Sequence, residues 1–158
     1  MASVIVRPHD EEIIRMKSKY VFHALVILTC FLVWLPGKTA AADSIKWYKY
    51  EEGMAQGEIR KKPVFLHFYA NWCFFCRMMA QKTFKDPLVV SYLNKNFIAI
   101  MVDVDKEGKT TSMYGVRALP DTWFLTQRGK RIRNILGYLE PDDLLSILKE
   151  VQRIDLQS

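Results

Sequence analysis

The chain has few cysteines: three in 158 residues, at positions 30, 73 and 76. Small exported domains that depend on disulfides need several bridges across long loops, and so few cysteines exclude that class. A bridge between Cys73 and Cys76 would close a very short loop, which contributes little to stability. A structural zinc site needs about four ligands, and His67 is the only other candidate near this pair. We therefore expect no metal site here, and the pair needs another explanation.

Clustered charge, internal repeats and low-complexity segments are also lacking. The chain has 23 Lys and Arg residues and 17 Asp and Glu residues. Five of the basic and three of the acidic residues lie in residues 1–42. The remaining 18 basic and 14 acidic residues are scattered along residues 43–158. Because proteins that bind nucleic acids carry a clustered basic face, we expect no nucleic-acid partner.

One long apolar run is present, "YVFHALVILTCFLVWL" at residues 20–35, preceded by lysines and followed by three alanines at 40–42. This pattern is typical of a secretory signal peptide, cleaved before Asp43. The alternative is an uncleaved membrane anchor, although a spanning helix needs about 20 apolar residues and this run is shorter. In both cases residues 1–42 form an N-terminal extension and signal segment, and residues 43–158 form one exported domain.

Segments with helical and strand patterns alternate along residues 43–158. Helices are predicted over residues 44–62, 73–81, 86–96, 110–116 and 140–154, and strands over 63–70, 97–105 and on both sides of a turn at 127–129. Ser44 is expected to cap the first helix, and Asp86 the third. Alternating strands and helices predict a parallel sheet covered on both faces, while the last two strands must pair antiparallel. The expected fold class is therefore α/β, with a mixed central sheet of four to five strands flanked by helices.

Cys73 stands where a buried strand is followed by a helix. The free N–H groups and the dipole of a helix N-terminus favour negative charge, so we expect an accessible Cys73 thiolate with a pKa below the ordinary value of about 8.5. Cys76 lies almost one turn further on the same side, within reach of Cys73, and is expected to be the more buried. In a redox role, Cys73 attacks a substrate disulfide and Cys76 then releases the substrate. The alternatives are half of a metal site and two inert buried thiols.

The segment "KPVFLHFYANWCFFCRMMAQKTFKDPLVVSYLNKNFIAIMVDVD" resembles the thioredoxin superfamily. It is similar to the C-terminal periplasmic domain of the DsbD-type thiol:disulfide interchange proteins. The segment "GVRALPDTWFLTQRGKRI" is more similar to the periplasmic thioredoxins of cytochrome c maturation. The resemblance covers about residues 46–152 and implies a thioredoxin fold.

The resemblance also implies a substrate site beside the cysteines. It assigns a cis peptide bond to Leu119–Pro120, where the backbone of Leu119 would pair with an extended substrate; the alternative is an ordinary trans turn. Trp72 and Phe74 would add an apolar substrate-binding surface. Of Phe74 and Phe75, at least one is expected to pack inward.

His67 marks a departure from the thioredoxin pattern. Many thioredoxins bury an aspartate at this position, six residues before the first cysteine, where it helps to move the proton of the second thiol. Histidine has an ordinary pKa of about 6.5, so His67 is a candidate proton shuttle. The alternative is a neutral core histidine bonded to a backbone carbonyl. Met101 stands where thioredoxins often have a lysine.

The expected function is that of a periplasmic protein thiol:disulfide oxidoreductase, an enzyme that needs no cofactor. By resemblance it would reduce disulfides in exported proteins and take electrons from a membrane thiol donor of the DsbD/CcdA type. We expect a monomer, exported through its N-terminal signal or anchored in the inner membrane facing the periplasm. The alternatives are a disulfide oxidase or isomerase, and a non-catalytic binding or chaperone module on the same fold.

Overall fold

The computed structural model describes residues 44–156, so the predicted signal segment in residues 1–42 lies outside the described residues. The elements are β1 (Trp47–Tyr48), α1 (Tyr50–Arg60), β2 (Val64–Tyr69), α2 (Phe74–Gln81), a 3-10 helix (Thr83–Lys85), α3 (Pro87–Asn96), β3 (Ile98–Asp103), α4 (Gly108–Tyr114), β4 (Asp121–Leu125), β5 (Arg131–Leu136) and α5 (Pro141–Leu156). Within residues 44–156, we find no helix with the length and apolar character needed to cross a membrane.

The five strands form one mixed sheet in the order β1-β3-β2-β4-β5. Strand β3 runs parallel to both β1 and β2, whereas β4 is antiparallel to β2 and to β5. In the centre, Val64 of β2 lies opposite Ile98 on one side and Leu125 on the other. This arrangement confirms the predicted α/β class and the antiparallel pairing of the last two strands.

Helices cover both faces of the sheet because successive side chains of a strand point to opposite faces. Phe65 packs in a core with Met79 of α2 and Leu148 of α5. Its neighbour Leu66 packs in a second core with Tyr114 of α4. Strand β2 is therefore apolar along nearly its whole length, as expected for a strand buried on both faces.

The first helix begins later than predicted, because β1 takes the residues before it. Ser44 is not its cap; Lys49 stands at that position and its side chain makes no capping hydrogen bond. Ile59, in the last turn of this helix, is 72% exposed. The helix instead packs through Gly53, where any added Cβ would collide with the side chain of Ile100. Tyr50 and Met54 of this helix also pack against the second core, whereas the contact at Gly53 involves no apolar side chain that a pattern could detect.

The start of α3 agrees with its prediction. Asp86 is the N-cap and its Oδ1 accepts hydrogen bonds from the N–H of Leu88, at 2.9 Å, and of Val89, at 3.0 Å. Pro87 occupies the first turn, where its missing N–H costs nothing.

Candidate active site at the start of helix α2

Cys73 and Cys76 are joined by a disulfide, with their Cα atoms 5.3 Å apart. Cys73 is the N-cap of α2, directly after the loop that follows β2. Its N–H donates to the carbonyl oxygen of Ala70 at 3.1 Å, and its Sγ accepts the N–H of Cys76 at 3.1 Å. The predicted position of the pair, at a strand-to-helix junction, is therefore confirmed.

Both cysteines are buried in this disulfide form, Cys73 at 5% exposure and Cys76 at 4%. The expectation that Cys73 is accessible is wrong for this form, and the two do not differ enough in burial for Cys76 to be called the more buried. The bond holds both sulfurs in a small apolar cluster with Ala70, against which Val104 and Leu119 pack.

Three exposed aromatic side chains surround the pair. Trp72 is 67% exposed, Phe74 61% and Phe75 52%. The expectation that one phenylalanine packs inward is wrong, because the inner face of α2 is occupied by Cys76 and Met79. The phenylalanines fall on the opposite face, with their ring centroids 5.5 Å apart in an edge-to-face contact. They widen the apolar surface beside Trp72.

Acidic residues at the end of β3 hold Trp72 in place, and sequence reasoning missed them. The indole Nε1–H donates to Oδ2 of Asp105 at 3.0 Å. The N–H of Asp105 in turn donates to Asp103, whose carboxylate pairs with Lys106 at 2.9 Å. The hydrogen bond from Lys106 lowers the pKa of Asp103, against the effect of burial. The sequence carries no local signal for this contact, which depends on the register of two parallel strands. Tyr69 of β2 lies opposite Asp103 of β3, so the residues that follow the two strands meet.

A small groove adjoins the cysteines. Its volume is about 160 Å³, and it is lined by Trp72, Val104, Thr111, Val116, Arg117, Ala118 and Leu119. The Leu119–Pro120 peptide bond is cis, as the resemblance implied. Leu119 packs against the cysteine cluster, and the carbonyl oxygen of buried Pro120 accepts the N–H of Gly137 at 2.8 Å. The candidate residues around the cysteines are thus brought to one end of the sheet.

His67 lies inside the protein on β2, at 1% exposure. Its Nδ1 is 3.0 Å from Oγ1 of Thr122 on β4, so its partner is a hydroxyl and not the backbone carbonyl of the neutral-core alternative. The ring makes an edge-to-face contact with Phe84 at 4.9 Å, and Met101 is its register partner on β3. Burial lowers the pKa of His67 to about 3. The imidazole is therefore neutral at neutral pH, and its role as a proton shuttle stays a prediction.

We expect the substitution His67→Gln to make the fold less sensitive to acid. Burial lowers the pKa of His67 from 6.5 to about 3, so between these values the unfolded chain binds a proton there and the folded chain does not. The free energy of unfolding therefore falls as the pH decreases below 6.5. Above that pH, the titration of His67 does not change it. Glutamine retains a hydrogen-bonding group for Thr122 but does not titrate.

Urea titrations measure the free energy of unfolding at each pH. Between pH 7 and pH 4.5, this free energy should fall by about 2.5 kcal/mol more in the wild type than in His67→Gln. Equal losses in the two proteins would show that His67 does not take up the proton on unfolding.

The site can perform thiol–disulfide exchange, since it combines a vicinal pair of sulfurs, a helix N-terminus and an adjoining groove. Across residues 44–156, no three His, Cys, Asp or Glu side chains form a group that could hold a metal ion. The fold and the site together define a protein of the thioredoxin class.

Comparisons with known proteins identify the family. The profile described as "Thioredoxin-like domain" matches residues 50–152, so this chain belongs to the thioredoxin-like domain family of thiol:disulfide oxidoreductases. It is 34% identical over 91 residues to the chloroplastic thioredoxin-like protein HCF164 of Arabidopsis thaliana, covering 57% of this chain and 33% of that one. It is 30% identical over 126 residues to the thiol:disulfide interchange protein DsbD of Vibrio vulnificus, covering 74% of this chain and 21% of that one.

The chain thus spans about a third or less of the length of these two relatives. Among solved structures, the thioredoxin of Thermus thermophilus matches with a TM-score of 0.65 and 24% identity. The match covers 71% of this chain and 90% of that chain. This likeness confirms the thioredoxin fold.

Proposed function

We propose that this protein is a periplasmic reductase that opens disulfide bonds in exported proteins through Cys73 and Cys76. The observation that carries the proposal is the position of Cys73 as N-cap of α2, with its sulfur bonded to Cys76 and accepting the Cys76 N–H. This geometry provides a nucleophile and a resolving thiol in one turn of helix.

The proposed reaction has two steps. In the reduced protein, the free N–H groups and the dipole at the start of α2 stabilise the Cys73 thiolate. The thiolate attacks a substrate disulfide and forms a mixed disulfide. Cys76 then attacks the sulfur of Cys73, which releases the reduced substrate and leaves the intramolecular disulfide. The bonded pair in the structure corresponds to the end of this sequence.

Substrate is proposed to bind in the groove beside the pair. An extended segment would pair with the backbone of Leu119 next to Pro120, as an added strand does at a sheet edge. The exposed rings of Trp72 and Phe74 would contact apolar side chains of the substrate. Because Trp72 is anchored by Asp105, this surface is positioned before substrate arrives.

His67 is proposed to assist the second step by passing on the proton of the Cys76 thiol. His67 lies on the same face of β2 as Phe65, which packs in a core with Met79 of α2. This position and its hydroxyl partner Thr122 support the role. In rapid-quench experiments, His67→Ala should slow release of the substrate by Cys76 more than the first attack by Cys73. Equal slowing of both steps, or of neither, would exclude the role.

The proposed partners are disulfide-containing exported proteins and a membrane thiol donor of the DsbD/CcdA type. The similarity to DsbD, a thiol:disulfide interchange protein, supports a place in such a chain, and the apolar segment at residues 20–35 supports export. A Cys76→Ala variant expressed in cells should stay covalently attached to both donor and clients through Cys73. The matched double variant with Cys73→Ser should form no adducts, and a persistent absence of adducts in the single variant would count against exchange chemistry.

The direction of electron flow separates the proposed reductase from an oxidase or isomerase. Equilibration with glutathione buffers measures the reduction potential of the Cys73–Cys76 pair. The reduction potential of a reductase should lie near that of thioredoxin, about −270 mV. A potential near that of the oxidant DsbA, about −120 mV, would favour an oxidase.

A second candidate, a binding or chaperone module, is favoured by the three exposed aromatic side chains of Trp72, Phe74 and Phe75. Such a module would keep its function in Cys73→Ser, whereas a reductase would lose it.

A further inference from the structure

The groove beside the cysteines is mostly apolar and is lined by one charged side chain. Val104, Val116 and Leu119 contribute aliphatic side chains, whereas Arg117 is the single charged residue among those that line it. Arg117 is exposed and stands two residues before Leu119, at which the substrate backbone is proposed to pair.

Arg117 has no ion pair or hydrogen bond within residues 44–156, where the ion pairs are Lys82–Glu140, Lys106–Asp103 and Arg133–Glu150. The acidic residues near Trp72 are already engaged: Asp105 accepts the indole N–H, and Asp103 pairs with Lys106. The guanidinium of Arg117 is therefore the charge that this groove offers to a bound segment.

We propose that Arg117 makes this protein prefer substrate segments that carry Asp or Glu within about four residues of the disulfide-bonded cysteine. An extended segment advances about 3.3 Å per residue, so a segment paired with Leu119 carries nearby side chains past Arg117. Guanidinium binds carboxylate through two parallel hydrogen bonds, while the aliphatic walls take an apolar side chain. This inference rests on the proposed function and deepens it by naming a substrate class.

Two synthetic peptides test the preference, each with one intramolecular disulfide and differing only in Glu or Gln two residues from a cysteine. The full chain is first reduced with dithiothreitol and freed of it. Its Cys73 and Cys76 thiols then lose two electrons and two protons to the peptide disulfide, which yields the protein disulfide and the peptide dithiol. Acid quenching followed by chromatography measures the rate. Reduction of both peptides by dithiothreitol alone corrects for their intrinsic reactivity.

We expect the Glu peptide to react about two to five times faster than the Gln peptide at low ionic strength. The ratio should approach one in about 0.5 M salt, because an exposed ion pair is screened. In Arg117→Gln the ratio of the two rates should fall to one, and in Arg117→Lys it should lie between one and the wild-type value. Arg128→Gln is the matched control, an equal loss of charge at the exposed turn after β4, and should keep the wild-type ratio.

The possible failures are distinguishable. Reduction of neither peptide by the wild type would contradict the proposed function itself. Reduction of both at one corrected rate would overturn only the preference. A ratio that survives Arg117→Gln would show that another group recognises the carboxylate, and would also overturn the assignment.

Discussion

The substitution Cys73→Ser is expected to reduce the rate of insulin disulfide reduction by at least about a thousandfold, with dithiothreitol regenerating the enzyme. A serine hydroxyl is not ionised at neutral pH, so the N-terminus of α2 has no thiolate to stabilise. The resolving thiol of Cys76 cannot substitute, because it lies in the first turn of the helix, behind the capping position. The serine keeps the size and the capping ability of the side chain, so the fold should be retained.

Cys76→Ala provides the discriminating control. It should also lose turnover, but it should first consume one equivalent of substrate as a stable mixed disulfide at Cys73. Retention of a tenth or more of the wild-type rate in Cys73→Ser would contradict the assignment of the nucleophile, as would an adduct that forms in Cys73→Ser and not in Cys76→Ala.

The substitution Phe65→Ala should lower the free energy of unfolding by about 3–5 kcal/mol. Phe65 is fully buried on the central strand β2. Its ring centroid lies 6.0 Å from that of Trp47, 6.1 Å from that of Phe84 and 5.7 Å from that of Phe124. Truncation therefore removes one ring from a cluster that joins the sheet to the helices covering it. Since domains of this size are stable by about 5–15 kcal/mol, the loss is a large part of the total.

Urea titration measures this loss, and Phe74→Ala is the matched control. It makes the same truncation at a side chain that is 61% exposed, so its stability should stay within about 0.5 kcal/mol of the wild type. A loss below about 1 kcal/mol in Phe65→Ala would contradict the assignment of Phe65 to the centre of the core.

Local signals in the sequence sufficed for most of the fold. Asp86 before Pro87 marks a helix start by the chemistry of capping, and the structure has the same cap. The apolar stretch over β2 predicts a strand buried on both faces, and β2 is such a strand. Cys73 at the strand-to-helix junction was likewise readable, because it depends only on the residues on each side.

The remaining features depend on contacts between distant segments. The two-residue strand β1 exists through its pairing with β3, and helix α1 packs through Gly53, which no apolar pattern records. The anchoring of Trp72 by Asp105 requires the register of β2 against β3. Phe74 and Phe75 both point outward because Met79 packs in the core and fixes which face of α2 is buried. The spacing of the two cysteines alone does not define that face.

The proposed function depends on Cys73 acting as a stabilised thiolate at the start of α2. The pH dependence of its alkylation by iodoacetamide tests this most directly, measured in reduced Cys76→Ala so that one thiol reacts. We expect a midpoint at least about one pH unit below the ordinary cysteine pKa of about 8.5. A midpoint at or above about 8.5 would contradict it.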